Sequence, residues 1–545
     1  MLYNVHDREV VRGNGSRRRS TRHQATHAMK TVEMCIAGRA AGLLAALCFF
    51  SLTACAPSLT RQSVDEFART PDDLARTPDE FTRTSSLQSA HIGVSARSLT
   101  QHHTQHHTQH QDDKDLYAIN QEQFFLPASI TKLFTSAVSL VLLGPDFRFE
   151  TGLYTDSEPA EGVISGNLFI RGNGDPTLSA RFRDGGGRAV FNEWADRLVT
   201  SGVRRINGNI VGDGGLYESG PLGRGWSWDD ELRCFSAQIS SLSFDDNCVS
   251  ILVAPGTQPG EKGRVTVRDQ SDYLTALNET LTAQPNEEST ITVARGKENN
   301  LIVVSGHVPL AATPHECRVA IQNPALFAAT HLKLALESKG IAVAGTVTDR
   351  SAFQAQPLYP FLRLLTRYTS PPLAEIIKHV NKPSQNLYAE LLFLTLGSRF
   401  GGQASAERAS QVVSETLSRM GVDPQAALLY DGSGLSRLNL VKPSAVIELL
   451  SYMYRHEYFR YFLDSLPVAG VDGTLRSRMR DTGAQGVVRA KTGTLAHVRN
   501  LAGYVEGRTD KMIAFAIMTN NYAGPVQELK DFQDAICIML SSLLD

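Results

Sequence analysis

Three short motifs, far apart and in fixed order, constrain this 545-residue chain more than any other feature. Ser129-Ile130-Thr131-Lys132 comes first, Ser384-Gln385-Asn386 begins 255 residues later, and Lys491-Thr492-Gly493 begins another 107 beyond. Each alone is weak, since an S-x-x-K occurs about once by chance in a chain of this length. Their settings strengthen them jointly. Ser129 follows Pro127 at the start of a helical pattern, with Ile130, Leu133, Phe134, Ala137 and Val138 at three- and four-residue spacing until Gly144-Pro145. Lys491 stands in VVRAKTGT (487–494), the first of three strand-like runs continued by LAGYVEG (501–507) and KMIAFAIMT (511–519). A fold that joins the motifs must carry a long excursion between the first and the second.

The residue types suit acyl transfer. A serine hydroxyl is a poor nucleophile until a base takes its proton. Lys132, one turn after Ser129, can be that base if burial or a neighbouring cation lowers its pKa, and Lys491 is the expected cation. Ser384 can relay a proton to a leaving amine, and Asn386 can orient Lys132 and a substrate amide. Gly493 lets a strand edge approach a bound peptide closely. Thr492 and Thr494 offer hydroxyls to a terminal carboxylate. The backbone N–H groups of Ser129 and Thr494 are the expected oxyanion donors.

The rest of the chain divides by pattern. Residues 1–55 read as a signal peptide: the apolar run 40–55 follows Arg39, Lys30 and the basic stretch Arg17–Arg22. It ends in Leu52-Thr53-Ala54-Cys55, similar to a lipobox, so Cys55 is the expected lipidation site; plain cleavage at Ala54-Cys55-Ala56 is the alternative. Residues 56–90 are a polar linker. Residues 91–145 and 361–545 form two parts of one domain, separated by an inserted β-rich region at 146–360, with runs such as VISGNLFIRG (163–172) and NLIVVSG (300–306). Two strand-like stretches, 91–100 and 117–122, flank a loop with His102, His103, His106, His107 and His110. The loop is read as a low-complexity insertion rather than a metal site. Helical patterns cover Leu373–Asn381 and Leu387–Leu396, and a last one runs from Val526 to Leu544.

The motif set is that of serine β-lactamases and penicillin-binding proteins. With the 255-residue gap, the chain resembles the S13 peptidases, type-4 D-alanyl-D-alanine carboxypeptidase/endopeptidases, over residues 86–545. Further stretches share the likeness: Gly172–Pro176, Asp431–Arg437, Gly470–Leu475 and GWSWDDELRCF (225–235). The resemblance implies an α/β fold, a β-lactamase/transpeptidase-like domain whose antiparallel sheet is flanked by helices, with a large β-rich insertion. It implies a serine DD-peptidase that hydrolyses D-Ala-D-Ala ends and D-Ala-diaminopimelate cross-links of peptidoglycan, without a metal or cofactor, and that penicillins acylate. Asp230, Phe235 and Arg437 are implied to recognise the diaminopimelate side chain. Where the family often carries glutamine this chain has Ala496, a departure at one substrate contact.

Two other readings compete. A class A β-lactamase needs an E-x-x-L-N motif and a class C one needs Y-x-N, and neither stands in a suitable place. A wall-binding lipoprotein or antibiotic sensor would acylate without turnover, against which the full motif set argues. The expected setting is the periplasm, with a lipid anchor in the outer membrane. Stem peptides and β-lactams are the expected partners; a net charge of −2 gives no reason to expect nucleic acid. Of seven cysteines, Cys234 and Cys248 enclose a short loop and are the expected disulfide, while Cys317 and Cys537 are expected free and buried.

Overall fold

Alternation along one strand explains how the two ends of the chain come to share a sheet. In Met512–Asn520 every residue is buried. Ala514, Ala516 and Met518 enter one core, whereas Ile513, Phe515 and Ile517 enter another. A strand with apolar side chains on both faces needs cover on both. The computed structural model describes residues 87–99, 113–296, 300–353, 357–507 and 511–544. In it the central sheet has five antiparallel strands, in the order Val488–Leu495, Val498–Glu506, Met512–Asn520, His91–Leu99, Lys114–Ile119. Helix Val526–Ser542 covers one face through Leu529, Phe532, Ile536 and Leu540. Helices Thr131–Leu143, Asn386–Phe400 and Pro443–Arg455 build the larger core on the other.

The inserted region leaves and returns through one pair of strands. Phe149 and Ser370 exchange hydrogen bonds, Phe149 N–H to Ser370 Oγ at 2.9 Å and Ser370 N–H to the Phe149 carbonyl at 3.0 Å. Glu150–Thr155 then pairs antiparallel with Arg363–Thr369, which carries the excursion past the expected boundary at 360. These strands border a five-stranded sheet in the order Val347–Asp349, Ile210–Asp213, Leu168–Arg171, Glu150–Thr155, Arg363–Thr369. Smaller sheets contain Cys248–Ala254 and Leu301–Pro309.

The insertion is less purely β than its glycine-rich sequence suggests. Two 15-residue helices, Gly186–Thr200 and Pro324–Ser338, share its core. The second starts on a standard signal: Asn323 accepts the Leu326 N–H at 3.1 Å and Pro324 occupies the first turn. Cys234 and Cys248 are joined in a disulfide. Cys537 is free and buried; Cys317 is free but only half-buried, on the strand His315–Ala320. The leader, Cys55 and the histidine-rich loop lie outside the described residues. Among the described residues no helix is long and apolar enough to cross a membrane.

Candidate active site

Ser129 lies in the 3₁₀ turn Ala128–Ile130, which runs directly into helix Thr131–Leu143. The turn is entered through Ala128 at φ +48°, a conformation that an alanine adopts only when its surroundings impose it. Two glycines leave room for it. A Cβ on Gly493 would stand 2.6 Å from the Pro127 carbonyl, and one on Gly434 would collide with the Ala128 carbonyl. The glycine of the third motif therefore makes space for the turn that carries Ser129, a cause different from the expected approach to substrate.

Lys132 is fully buried, and its Nζ has three oxygen neighbours: Ser129 Oγ at 2.9 Å, Asn386 Oδ1 at 2.7 Å and the Ser433 carbonyl at 2.6 Å. A neutral amine has two N–H donors and one lone pair. Two of these oxygens can only accept, so the lone pair is left for the Ser129 hydroxyl proton. Burial lowers the Lys132 pKa to about 7, against the opposing charges of Asp431 and Glu390. The expected cation works in the opposite direction. Lys491 is held far below the ordinary lysine range first by its own burial and then by Lys132. Desolvation, more than a neighbouring charge, lowers the Lys132 pKa.

A second group adjoins the first. Lys491 Nζ donates to Ser384 Oγ at 2.8 Å and to the Thr492 carbonyl at 2.8 Å. Ser384 has φ +62°, another strained position at the site. Thr492 Oγ1 donates to Thr474 Oγ1 at 2.9 Å, and Thr494 is exposed further along the same strand.

The inserted stretch 225–235 is sewn to the loop Asp431–Arg437. Trp226 Nε1 donates to Asp431 at 3.0 Å, Ser436 Oγ donates to the Arg224 carbonyl at 2.7 Å, and the Arg437 N–H meets the Gly225 carbonyl at 3.3 Å. Phe235 is about half exposed, and its carbonyl accepts Asn386 Nδ2 at 2.7 Å. Asn386 is thus held at both ends of its amide. Asp230 lies in the 3₁₀ turn Trp228–Asp230. Burial raises its pKa, Asp229 adds to the shift, and Arg233 and Arg437 oppose it. Among the described residues no ion pair joins Asp230 to Arg437, whose side chain instead meets the Ala496 carbonyl at 3.3 Å.

Glu390 has no place in the three motifs, yet it builds the floor of the site. Buried on the helix of Asn386, it accepts the N–H groups of Gly432 (3.2 Å) and Ser433 (2.8 Å). That fixes the loop whose Ser433 carbonyl meets Lys132. Burial and then Asp431 push the Glu390 carboxyl up. Its sequence signal was a lone acid within Leu387–Leu396, an otherwise apolar helical run.

With this geometry, comparison with known proteins is specific. The family described as D-Ala-D-Ala carboxypeptidase 3 (S13) matches residues 97–543. This chain belongs to that family. It is a serine-type DD-peptidase. A D-alanyl-D-alanine carboxypeptidase of Actinomadura sp. is 35% identical over 439 residues, 78% of this chain and 79% of that protein. D-alanyl-D-alanine carboxypeptidase DacB of Haemophilus influenzae is 30% identical over 413 residues, 74% and 82% of the two chains. The crystal structure of penicillin binding protein 4 from Haemophilus influenzae covers 85% of this S13 chain and 99% of its own, with TM-score 0.73 and 28% identity. A second structure of that protein, complexed with a β-lactam, has TM-score 0.68 and 25% identity over 86% of this chain and 99% of its own.

Proposed function

We propose that Ser129 attacks the carbonyl of a D-alanyl peptide bond and carries the acyl group through hydrolysis. Lys132 Nζ takes the hydroxyl proton as the Oγ–C bond forms. The N–H groups of Ser129 and Thr494 receive the developing oxyanion, a stabilisation of roughly 3–4 kcal/mol per donor in other enzymes. The tetrahedral species then expels the amine, which takes up the proton held on Lys132, relayed by Ser384 beside Lys491, so that Lys132 is neutral again. Water enters, gives its proton to Lys132, and releases the second product with Ser129 restored. Thr492 and Thr494 hold the terminal carboxylate. One observation carries this reading: a buried lysine amine whose two acceptors leave its lone pair to a serine hydroxyl.

The substrates in this reading are peptidoglycan stem peptides with D-Ala-D-Ala ends and D-Ala-diaminopimelate cross-links, and β-lactams acylate the same serine. Asp230, Phe235 and Arg437 stand at the rim and receive the diaminopimelate side chain, whose amine and carboxylate suit an acid and an arginine. The enzyme works in the periplasm, held to the outer membrane by lipid on Cys55.

The test is covalent labelling. A fluorescent penicillin labels the wild type, and Ser129→Ala remains unlabelled while keeping its fold. An adduct on another serine of that variant would overturn the assignment. Muropeptide digestion then separates hydrolysis from a sensor that acylates without turnover.

A further inference from the structure

We propose that the inserted region carries a second binding site, a cleft lined by Arg181, Arg188, Arg268 and Arg318, which takes a carboxylate group of a peptide. The cleft has a volume of about 370 Å³, and none of its lining residues belongs to the three catalytic motifs.

Its aspartates hold three of the four arginines in place without using all their donors. Asp246 is buried and accepts Ser179 Oγ at 2.8 Å, Tyr388 Oη at 2.6 Å, Arg181 Nε at 2.9 Å and Arg318 at 3.3 and 3.4 Å. Asp269 accepts Arg188 at 2.7 Å and faces His331 Nε2 at 3.0 Å. Each guanidinium has five N–H donors in a rigid fork. Arg181 spends only its Nε on Asp246, and among the described residues the exposed Arg268 side chain has no hydrogen-bonding partner. Donors therefore exceed acceptors, and Arg181, Arg188 and Arg318 are pre-oriented while Arg268 keeps all its donors free.

The charge balance selects the ligand. Four guanidiniums stand against Asp245, Asp246 and Asp269, which leaves one positive charge. A monoanionic carboxylate matches that excess, whereas a phosphate dianion exceeds it. The backbone adds a second indication. Asp245, Asp246 and Asn247 lie consecutively at φ +46°, +62° and +55°. Three strained residues in a row persist only where the surroundings over-determine them, and such positions concentrate at ligand sites. The cleft stands apart from the reaction at Ser129, although Tyr388 joins them: its hydroxyl meets Asp246, and it lies two residues after Asn386.

The experiment uses full-length protein saturated with benzylpenicillin, so that ligand cannot enter the nucleophile's pocket. Failure to acylate would count against the role of Ser129 and leave this proposal to be tested on Ser129→Ala with a large excess of a D-Ala-D-Ala competitor. Saturation-transfer NMR compares acetyl-Ala-Ala, which carries a single carboxylate, its C-terminal amide and inorganic phosphate. The free acid is expected to bind and the amide not, with affinity reduced about ten-fold in Arg268→Gln. Arg268 has no partner to lose, so that variant keeps the fold; Arg318→Gln, which removes a contact to Asp246, provides a second reading. Equal binding of acid and amide, phosphate binding tighter than the acid, unchanged affinity in Arg268→Gln, or no binding of the acid would each overturn the proposal, leaving the arginines as partners of buried aspartates alone.

Discussion

Lys132 shows how much chemistry one buried amine can acquire from its place in the fold. Its pKa of about 7 predicts that penicillin acylation rises with pH through a limb near 7, because only the neutral amine can take the Ser129 proton. Stopped-flow acylation across pH 5–9 measures it; a flat profile would exclude Lys132 as the base. The same shift affects stability. Between about 7 and 10.5 the unfolded chain holds a proton on this lysine that the folded chain does not. Wild type should therefore gain stability over Lys132→Ala as pH rises through that window, by at most about 1.4 kcal/mol per unit. Denaturant titrations at pH 7 and 9 check the sign. The cluster of Ser129, Lys132 and Asn386, and the adjoining pair Ser384 and Lys491, could be anticipated from sequence because these residues stand in short, ordered motifs. The Ser433 carbonyl and the Phe235 carbonyl could not: a backbone oxygen has no residue type to read.

Helix Asn386–Phe400 presents Asn386 to Lys132, Tyr388 to Asp246 and Glu390 to the Gly432–Ser433 loop. Removing the carboxyl in Glu390→Leu leaves two buried N–H groups without acceptors, at a cost of about 1–3 kcal/mol each. Glu390→Gln keeps one acceptor and should lose about half as much, which melting curves of both variants will reveal. The hairpin strands His91–Leu99 and Lys114–Ile119 pair directly, so the loop between them can shorten at little entropic cost. Deleting residues 101–111 should leave peptidase activity within a few-fold; loss restored by zinc would give the histidines the metal role discounted above. Elements of the central sheet were legible within a few residues, because alternation and turn residues bound them. The helices Gly186–Thr200 and Pro324–Ser338 were overlooked, although Asn323-Pro324 marks the start of the second and Val190, Trp194 and Leu198 recur at helical spacing. Their glycine-rich flanks masked a local pattern that the insertion's core makes plain.

At the scale of the molecule, the excursion that separates the first two motifs also reaches back to the site through residues 224–235. Asp230→Ala should lower kcat/KM for diaminopimelate peptides by roughly 1–3 kcal/mol in transition-state terms and leave penicillin acylation nearly unchanged, since the drug lacks that side chain. Equal loss of both would make Asp230 structural. Cys55→Ala should move the protein from the membrane fraction to the soluble one, with mass spectrometry of the wild-type N-terminus as the direct check. The order of the central sheet has one further effect, on the timing of synthesis. His91–Leu99 pairs along its whole length with Met512–Asn520, so an early strand waits for a late one. A nascent chain cannot finish the bed beneath Ser129 until more than four hundred further residues have been made. The hydrolase is thereby silent throughout its own production, and a chain cut after Glu506 should bind no penicillin.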